Sequence, residues 1–503
     1  MYEQLYSKTG VRAIGGSGPL WAWYDCLFMS SFFPFDRGTG FMPELAYLLI
    51  QLACTAFYTV VVARSDWGGR LLASRWGIWS SGALGTLGSL ALVGSNALTG
   101  GFSTALFIAG CLLCASFMAV MTLAWGAVYS MGGSITATPY VAGAFACAIV
   151  CDLPLFFMFP QAAAVFYAAF PLLSCLVFMS IDPEDRTYRA VLAETPIAAP
   201  GHTGSLRARL GIPAAIIVGY VLVMAGFGYF QHLISFASAA SGGQSYGHLV
   251  QIVRGVAAVL FFVVILLDLR HSRLVYRLGL PLMIAGCMAM PFCFGHPSFP
   301  LAAALIICGY TAFDLFIWVV FSSIACTQSR DPLKTIAVMR LTAGAGFAIG
   351  VPCAMAFVGF GAEPGPLASE VTTVAGYCIV IAVVLLLSSE EVFALTNGYF
   401  DYRRMVQAAQ DAMAPDRAEH AGDREELDVT SWLDERLAAF GLTAREAEVA
   451  RLLAHGRTQK WIADYLCISQ NTTGTHLRHI YQKVGVHNRQ EFLDALARQP
   501  EEG

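Results

Sequence analysis

The chain has 503 residues, 57% of them apolar and only 13% charged, with a mean hydropathy of +0.61. An average soluble domain carries about 25% charge, so most of this chain cannot present the surface of a water-soluble protein, and disorder, collagen and coiled coil are excluded on the same figures. The formal net charge of −4 is unevenly spread: residues 1–399 balance, 400–439 are acidic and 440–499 are basic.

Membrane spans need about 20 mostly apolar residues. Candidate segments are 19–35, 41–63, 77–97, 102–128, 138–159, 161–181, 211–233, 249–269, 278–295, 299–323, 336–360 and 367–389. Residues 1–18 read as a cytoplasmic tail, because no clear signal-peptide cleavage site follows Lys8 and Arg12. The expected membrane domain is 19–391, with halves 19–181 and 211–389 joined by a cytoplasmic loop, 182–210, rich in Pro, Thr, Glu and Arg. Basic residues in loops mark the cytoplasmic side. With the N-terminus inside, the inner segments hold Lys8, Arg12, Arg64, Arg70, Arg75, Arg186, Arg189, Arg207, Arg209, Arg270, Arg273, Arg277, Arg330 and Lys334, and the outer loops hold Arg37 alone. The chain is thus expected to cross the membrane several times, with both termini cytoplasmic.

Of 14 cysteines, 13 precede residue 380 and are scattered along apolar runs. Cys111 and Cys114, in the run CLLC, read as part of a span, since metal sites need further ligands and polar support. No metal and no cofactor is expected.

Six spans, a long loop and six spans resemble the major facilitator superfamily, whose halves are internal repeats. That family has a Gly-x-x-x-Asp-Arg-x-Gly-Arg motif after its second span. Here Asp66, Gly69 and Arg70 match it, Trp67 replaces the usual Arg and Val62 the leading Gly. The corresponding loop of the second half keeps only Asp268 and nearby arginines.

Charges inside spans cost about 2.5–3.5 kcal/mol each on insertion scales and mark functional candidates. They are Asp25, Asp152, Arg254, Asp314 and Arg340, with His232 near the outer end of the seventh span. Trp21, Trp23, Tyr24, Trp125 and Trp318 are candidates to line a cavity. Two readings stand for the charges: a ligand site between the halves, for which Trp21, Asp25, Asp152, Arg254, Asp314 and Arg340 are the candidate residues, or ion pairs that hold spans together. For the tryptophans the alternative is packing or an interface belt.

Residues 392–440 read as an acidic linker with a short helix, in which Trp432, Leu433, Leu437 and Phe440 form one stripe. Residues 441–498 then read as four short helices. Thr443-Ala444-Arg445-Glu446 is a capping box. Thr458 starts a second helix, and Cys467-Ile468 makes a turn. Ser469 caps a third helix that Gly485 stops, and Asn488 begins a fourth. Short helices around a tight turn make a helix-turn-helix. The third helix exposes Thr472, Thr475, Arg478, His479 and Gln482, a face that suits a major groove, and Lys460 and Lys483 suit phosphates.

This stretch resembles the LuxR-type DNA-binding domain. Leu442-Thr443-x-Arg445-Glu446, Ala454-x-Gly456, Lys460-x-Ile462-Ala463, Ile468-Ser469, Asn471-Thr472, Thr475-His476-Leu477-Arg478, Ile480-Tyr481-x-Lys483 and Gly485-Val486-His487 all fit it. The resemblance implies double-stranded DNA as partner, base contacts from Thr475 and Arg478, and a dimer surface on the fourth helix, where Phe492, Leu493 and Leu496 would be split between core and partner. Lys460, Thr472, Thr475, Arg478, His479 and Lys483 are the candidate DNA-binding residues. Thr473-Gly474 departs from the Val-Lys usual in that family, and a glycine inside a helix costs about 1 kcal/mol of propensity.

The expected fold class is therefore all-α: a twelve-helix transmembrane bundle, six plus six and transporter-like, followed by a four-helix LuxR-type domain. The whole resembles membrane-bound LuxR-type regulators. It implies a one-component transcriptional regulator whose membrane half senses a small-molecule effector, sits in lipid, and works as a homodimer on DNA. The alternative is an active secondary transporter with a fused regulatory domain. No nucleophile, base or metal constellation supports an enzyme.

The basic-residue bias makes a topology prediction. Single cysteines introduced in the 95–101 loop should label from outside, and those in 182–210 only from inside. The reverse pattern at either loop would contradict the span assignment.

Overall fold

In a computed structural model the described residues are 8–29, 43–130, 134–181, 212, 214–240, 245–267, 272–293, 296, 298–327, 331–358, 372–377, 379, 381–382, 436–454, 459, 462, 470–487 and 489–497. Among them every regular element is helical, and the chain divides into two units, Met1–Leu386 and Leu387–Gly503.

The first unit opens with α1 (Lys8–Met29), α2 (Pro43–Ala63), the short α3 (Ser65–Ala73), α4 (Arg75–Ser95), α5 (Gly100–Tyr129), α6 (Ser134–Asp152), a 3-10 turn at Leu153–Phe157, and α7 (Pro160–Ser180). It continues with α8 (Ala214–Ala240), α9 (Ser245–Leu267), α10 (Ser272–Cys293), α11 (Phe299–Thr327) and α12 (Pro332–Val358). Residues 372–377 are again helical. Local chemistry sets the ends: Asp331 Oδ1 accepts from the backbone N–H groups of Leu333 and Lys334, with Pro332 at the first helical position of α12.

Two expectations need correction. The tail 1–18 is helical from Lys8 onward, so α1 begins eleven residues before the apolar run that announced it. Gly15-Gly16-Ser17-Gly18 carries too little side chain to register as apolar, yet it is a packing surface. A Cβ on Gly16 would strike Trp125 and Val177, and one on Gly18 would strike Cys147. Small residues of this kind let helices approach closely in a membrane. Second, the Asp66–Arg70 motif is on a helix, α3, and not in a loop. Asp66 lies in its first turn and Arg70 in its last, each favourable to the helix dipole. Trp67 packs on Phe57 with ring centroids 5.6 Å apart.

Packing shows how the halves are related. In the first half α1 lies on α6 and α7, and α4 on α5 and α7. In the second, α8 runs along α12 and α10 along α11, with Gly350 against the Ala225 carbonyl and Gly309 against Met283 and Gly279. The halves meet reciprocally. The second long helix of the first half, α2, faces the fifth of the second, α12, and the fifth of the first, α6, faces the second of the second, α9. Two repeats related by a pseudo-two-fold axis give this exchange.

The outer surface is apolar. Phe157, Phe159 and Phe292 are 84, 83 and 85% exposed, and Trp76, Phe102, Val165, Leu267 and Leu301 add to the same character. So much exposed apolar surface belongs against lipid. Among the described residues, seven helical segments are long and apolar enough to cross a membrane, and Gln251–Leu267 and Gly279–Cys293 are shorter apolar helices. The protein is a multi-pass membrane protein. The loop 182–210, all of the linker up to residue 435, and with it Trp432 and Leu433, lie outside the described residues.

The second unit contains α13 (Ala444–Ala454), α14 (Gln470–Val484) and α15 (Arg489–Ala497). Its core is Leu437, Val449, Leu453, Ile462, Leu477, Ile480, Phe492, Leu493 and Leu496 with neighbouring alanines, and Phe440, Tyr481 and Val486 pack against it. Gly485, at φ +76°, ends α14, and the Val486 N–H donates to the Tyr481 carbonyl, the Schellman arrangement in which a left-handed residue is needed. Phe492, Leu493 and Leu496 are all buried in this core. The expected split of these three between core and dimer partner is therefore corrected: a nine-residue helix with three inward positions spends them on its own module. The second of the four expected helices is described only at Gln459 and Ile462.

Candidate functional site

The five charges expected inside spans come from α1, α6, α9, α11 and α12, and all are buried. Three form one bridge. Arg254 Nε lies 3.2 Å from Asp25 Oδ2, and Arg254 NH2 lies 4.0 Å from Asp314 Oδ2. The guanidinium also sits over the rings of Phe145 and Tyr310, 5.6 and 5.9 Å from their centroids. Arg254 thus holds α1 of the first half to α9 and α11 of the second. Asp152 accepts a hydrogen bond from the Cys26 thiol at 3.2 Å, and the Gln251 amide reaches the same sulfur at 3.9 Å. Arg340 interacts electrostatically with the phenols of Tyr24, Tyr58, Tyr220 and Tyr47 and with Asp314.

An aromatic and hydroxyl network encloses these groups. The Tyr24 and Tyr47 hydroxyls are 2.8 Å apart, and Gln51 Nε2 donates to Tyr47 at 2.7 Å. The Trp21 ring meets Tyr24, Phe145 and Trp318 edge-on. Among the described residues, the buried polar atoms here without a hydrogen-bond partner include Asp25 Oδ1 and Gln251 Oε1, which accept, and Arg340 Nε and Trp318 Nε1, which donate. A buried unsatisfied polar atom costs about 1–3 kcal/mol, so a cluster of them at the junction of two repeats marks a place able to take a polar ligand.

Asp25, Arg254 and Asp314 come together and Trp21 meets Trp318, whereas Trp23 and Trp125 follow the packing alternative. Trp23 donates to Ser89 Oγ at 2.9 Å and stacks on Tyr167, and Trp125 donates to Ser174 Oγ at 3.0 Å, which itself donates to the Gly16 carbonyl. Both pack inside the first half. His232 is buried on α8. Gln51, Gln251 and, apart from Tyr24, the tyrosines were missed. The two glutamines carried a signal, being amides in apolar runs; the tyrosines did not.

In the second unit, α14 turns Thr473, Leu477 and Ile480 inward and Thr472, Thr475, Arg478, His479 and Gln482 outward. Lys460 lies outside the described residues. Lys483 is committed inside the module: its Nζ donates to Glu446 Oε2 at 2.6 Å and to the Gly441 carbonyl at 3.3 Å. The same carboxylate accepts from the Thr443 N–H and hydroxyl, each at 2.9 Å, while the Glu446 N–H donates to Thr443 Oγ1, which completes the capping box. His479 Nδ1 is 3.8 Å from Glu446 Oε1. One buried carboxylate therefore caps α13 and holds it to α14. The Lys483 ammonium above all, with the Thr443 donors, pulls the Glu446 carboxyl down from 4.5 to about 2.

Comparison with known proteins agrees with both halves of this description. The family of bacterial regulatory proteins named luxR matches residues 441–496. The spore germination protein GerE of Bacillus subtilis is 42% identical over 60 residues, which are 12% of this chain and 81% of GerE. The chain spans only 6% of the length of a Mycobacterium bovis HTH-type transcriptional regulator that it matches at 42% identity. A bacterial homologue of the iron transporter ferroportin, solved in an outward-facing state, aligns over 75% of this chain and 97% of its own, at 14% identity and a TM-score of 0.50. The major facilitator superfamily proton:xylose symporter XylE aligns over 77% of this chain and 96% of its own, at 10% identity and a TM-score of 0.49. At such identity the first likeness speaks for a transporter-like fold alone.

The Glu446 clamp has a pH signature. Its folded value lies below the ordinary 4.5, so it adds stability above pH 4.5 and loses it as the pH falls toward 2. In a fragment of residues 430–503, Glu446→Gln should lower the thermal midpoint at pH 7 and flatten its decline between pH 4.5 and 2. A wild-type decline retained in the variant would exclude Glu446 as its source.

Proposed function

The chain belongs, through residues 441–496, to the luxR family of bacterial regulatory proteins, and we propose that it is a membrane-embedded one-component transcriptional regulator. In this reading a transporter-like domain of twelve spans, with both termini in the cytoplasm, takes up a small polar effector between its halves. The effector's binding sets how the same chain occupies DNA. The observation that carries the reading is the buried cluster shared by the two halves, Asp25–Arg254–Asp314 with Arg340 beside it, in a chain that also contains a DNA-binding module. An effector can shift the relation of the halves only by its difference in affinity between two arrangements, and a change from 1:99 to 99:1 needs about 10⁴-fold. A group that competes for Arg254, or that satisfies Arg340 Nε and Asp25 Oδ1, supplies such a difference.

On DNA, Thr472, Thr475, Arg478 and His479 present the outward face of α14 to the major groove. Arg478 is the side chain there best able to read guanine through two hydrogen bonds. Lys460 and Lys483 are the phosphate candidates, with Lys483 available only in competition with Glu446. One module of this size reads a half-site, so two copies are needed for an inverted repeat.

Two experiments test this reading. Arg478→Ala should cost about 1–3 kcal/mol at the cognate site and relax base preference at one position of each half-site; equal weakening on all sequences would contradict a reading role. In cells carrying a reporter on the neighbouring promoter, Arg340→Gln should keep normal membrane levels and basal promoter occupancy but lose the response to the inducing metabolite. Arg254→Gln should lower the protein level itself, because it strands two buried carboxylates, a loss of about 3–5 kcal/mol. An unchanged response in Arg340→Gln, or accumulation of a solute by vesicles that does not depend on DNA, would favour transport instead.

A further inference from the structure

The outward face of α14 has a gap. Thr473, Leu477 and Ile480 point into the core, which puts position 474 at the rim of the outward face, one turn before the exposed Arg478 and next to the exposed Thr475. Position 474 is a glycine and offers no side chain there. The space is nevertheless occupied. A Cβ built on Gly474 would come within 2.8 Å of Gln459 Nε2 and 3.7 Å of Gln459 Cδ. Gln459 precedes α14 in the chain and is itself exposed. Its carboxamide therefore lies across the recognition helix at the point where a side chain of residue 474 would begin, on the Arg478 side of the groove-facing surface.

We propose that Gln459 is a base-reading residue of this module: seated over Gly474, its carboxamide reads adenine in the major groove beside the base read by Arg478. The chemistry follows from the amide. It offers an oxygen that accepts and an NH₂ that donates, in one plane. Adenine presents the complementary pair, N6–H₂ to donate and N7 to accept. A side chain reaching from a neighbouring helix can lie this close to the α14 backbone only where no Cβ intervenes, which gives the glycine a reason to be there. The inference rests on the module's reading as a DNA-binding domain and adds a specificity residue outside the recognition helix.

The test is site selection from random duplex DNA by the full chain in detergent, with affinities measured on the selected site. Wild-type protein should select an adenine next to the position that depends on Arg478. Gln459→Ala should equalise the bases at that one position and weaken binding by about 5- to 150-fold. Gln459→Glu keeps the shape but loses the N–H donors, so preference there should move from adenine to cytosine, whose N4 group donates. Gly474→Ala displaces only the end of a flexible side chain and should fold normally. It should reproduce the Gln459→Ala pattern, and the double variant should be no weaker than either single one. Retention of the wild-type preference and affinity in Gln459→Ala and Gln459→Glu would overturn the proposal, and so would equal weakening on every sequence, which marks a phosphate contact. Selection of no sequence by the wild type would overturn this proposal and the DNA-binding reading together, whereas a selected site that is indifferent to Gln459 overturns the proposal alone.

Discussion

The membrane unit is organised around one guanidinium. Arg254 is buried among apolar helices, where an isolated charge is costly, and it is compensated by Asp25 from the first half and Asp314 from the second. Neither half holds the bridge alone, because its carboxylates come from both. The reciprocal pairing of α2 with α12 and of α6 with α9 brings the halves together, and the bridge makes their relative position electrostatically demanding. Moving α1 away from α9 would leave Asp25 buried beside no cation. In the proposed reading, that dependence is the lever for an effector: an added charge or hydrogen-bonding group at this point would alter the balance between arrangements of whole repeats.

The DNA-binding unit follows a similar economy with a single carboxylate. Glu446 gathers the Thr443 cap, the Lys483 ammonium and, more distantly, the His479 ring, so the orientation of the recognition helix against α13 depends on one acid. The arrangement separates roles on α14. Lys483, at its C-terminal end, fixes the helix in place, while Thr472, Thr475 and Arg478 remain outward. A helix bearing charges at both kinds of position reads, in sequence, as uniformly basic.

Much of this was legible beforehand. The long apolar runs gave most of the helices, and the rule that charge inside a span is unusual pointed directly to Asp25, Arg254 and Asp314. The capping box and the glycine stop at Gly485 were likewise readable, since both are short-range chemistry. What stayed hidden depends on distant contacts. Gly16 and Gly18 look like a loop until Trp125 and Cys147 are packed on them. Whether Arg254 meets a ligand or an aspartate is a question of tertiary geometry, and so is the commitment of Lys483 to Glu446, 37 residues away in the chain. Phe492, Leu493 and Leu496 show the opposite error, in which a resemblance divided between core and dimer partner three residues that the small core takes for itself.

The central claim is that an intact, membrane-embedded chain acts on DNA. Its most direct test is to crosslink living cells, isolate the membrane fraction, recover the full-length chain by an affinity tag and sequence the DNA bound to it. The account predicts discrete promoter fragments attached to the full-length chain in the membrane fraction. Recovery of those fragments only with a soluble piece that lacks the membrane unit, or of no preferred sequence at all, would contradict it.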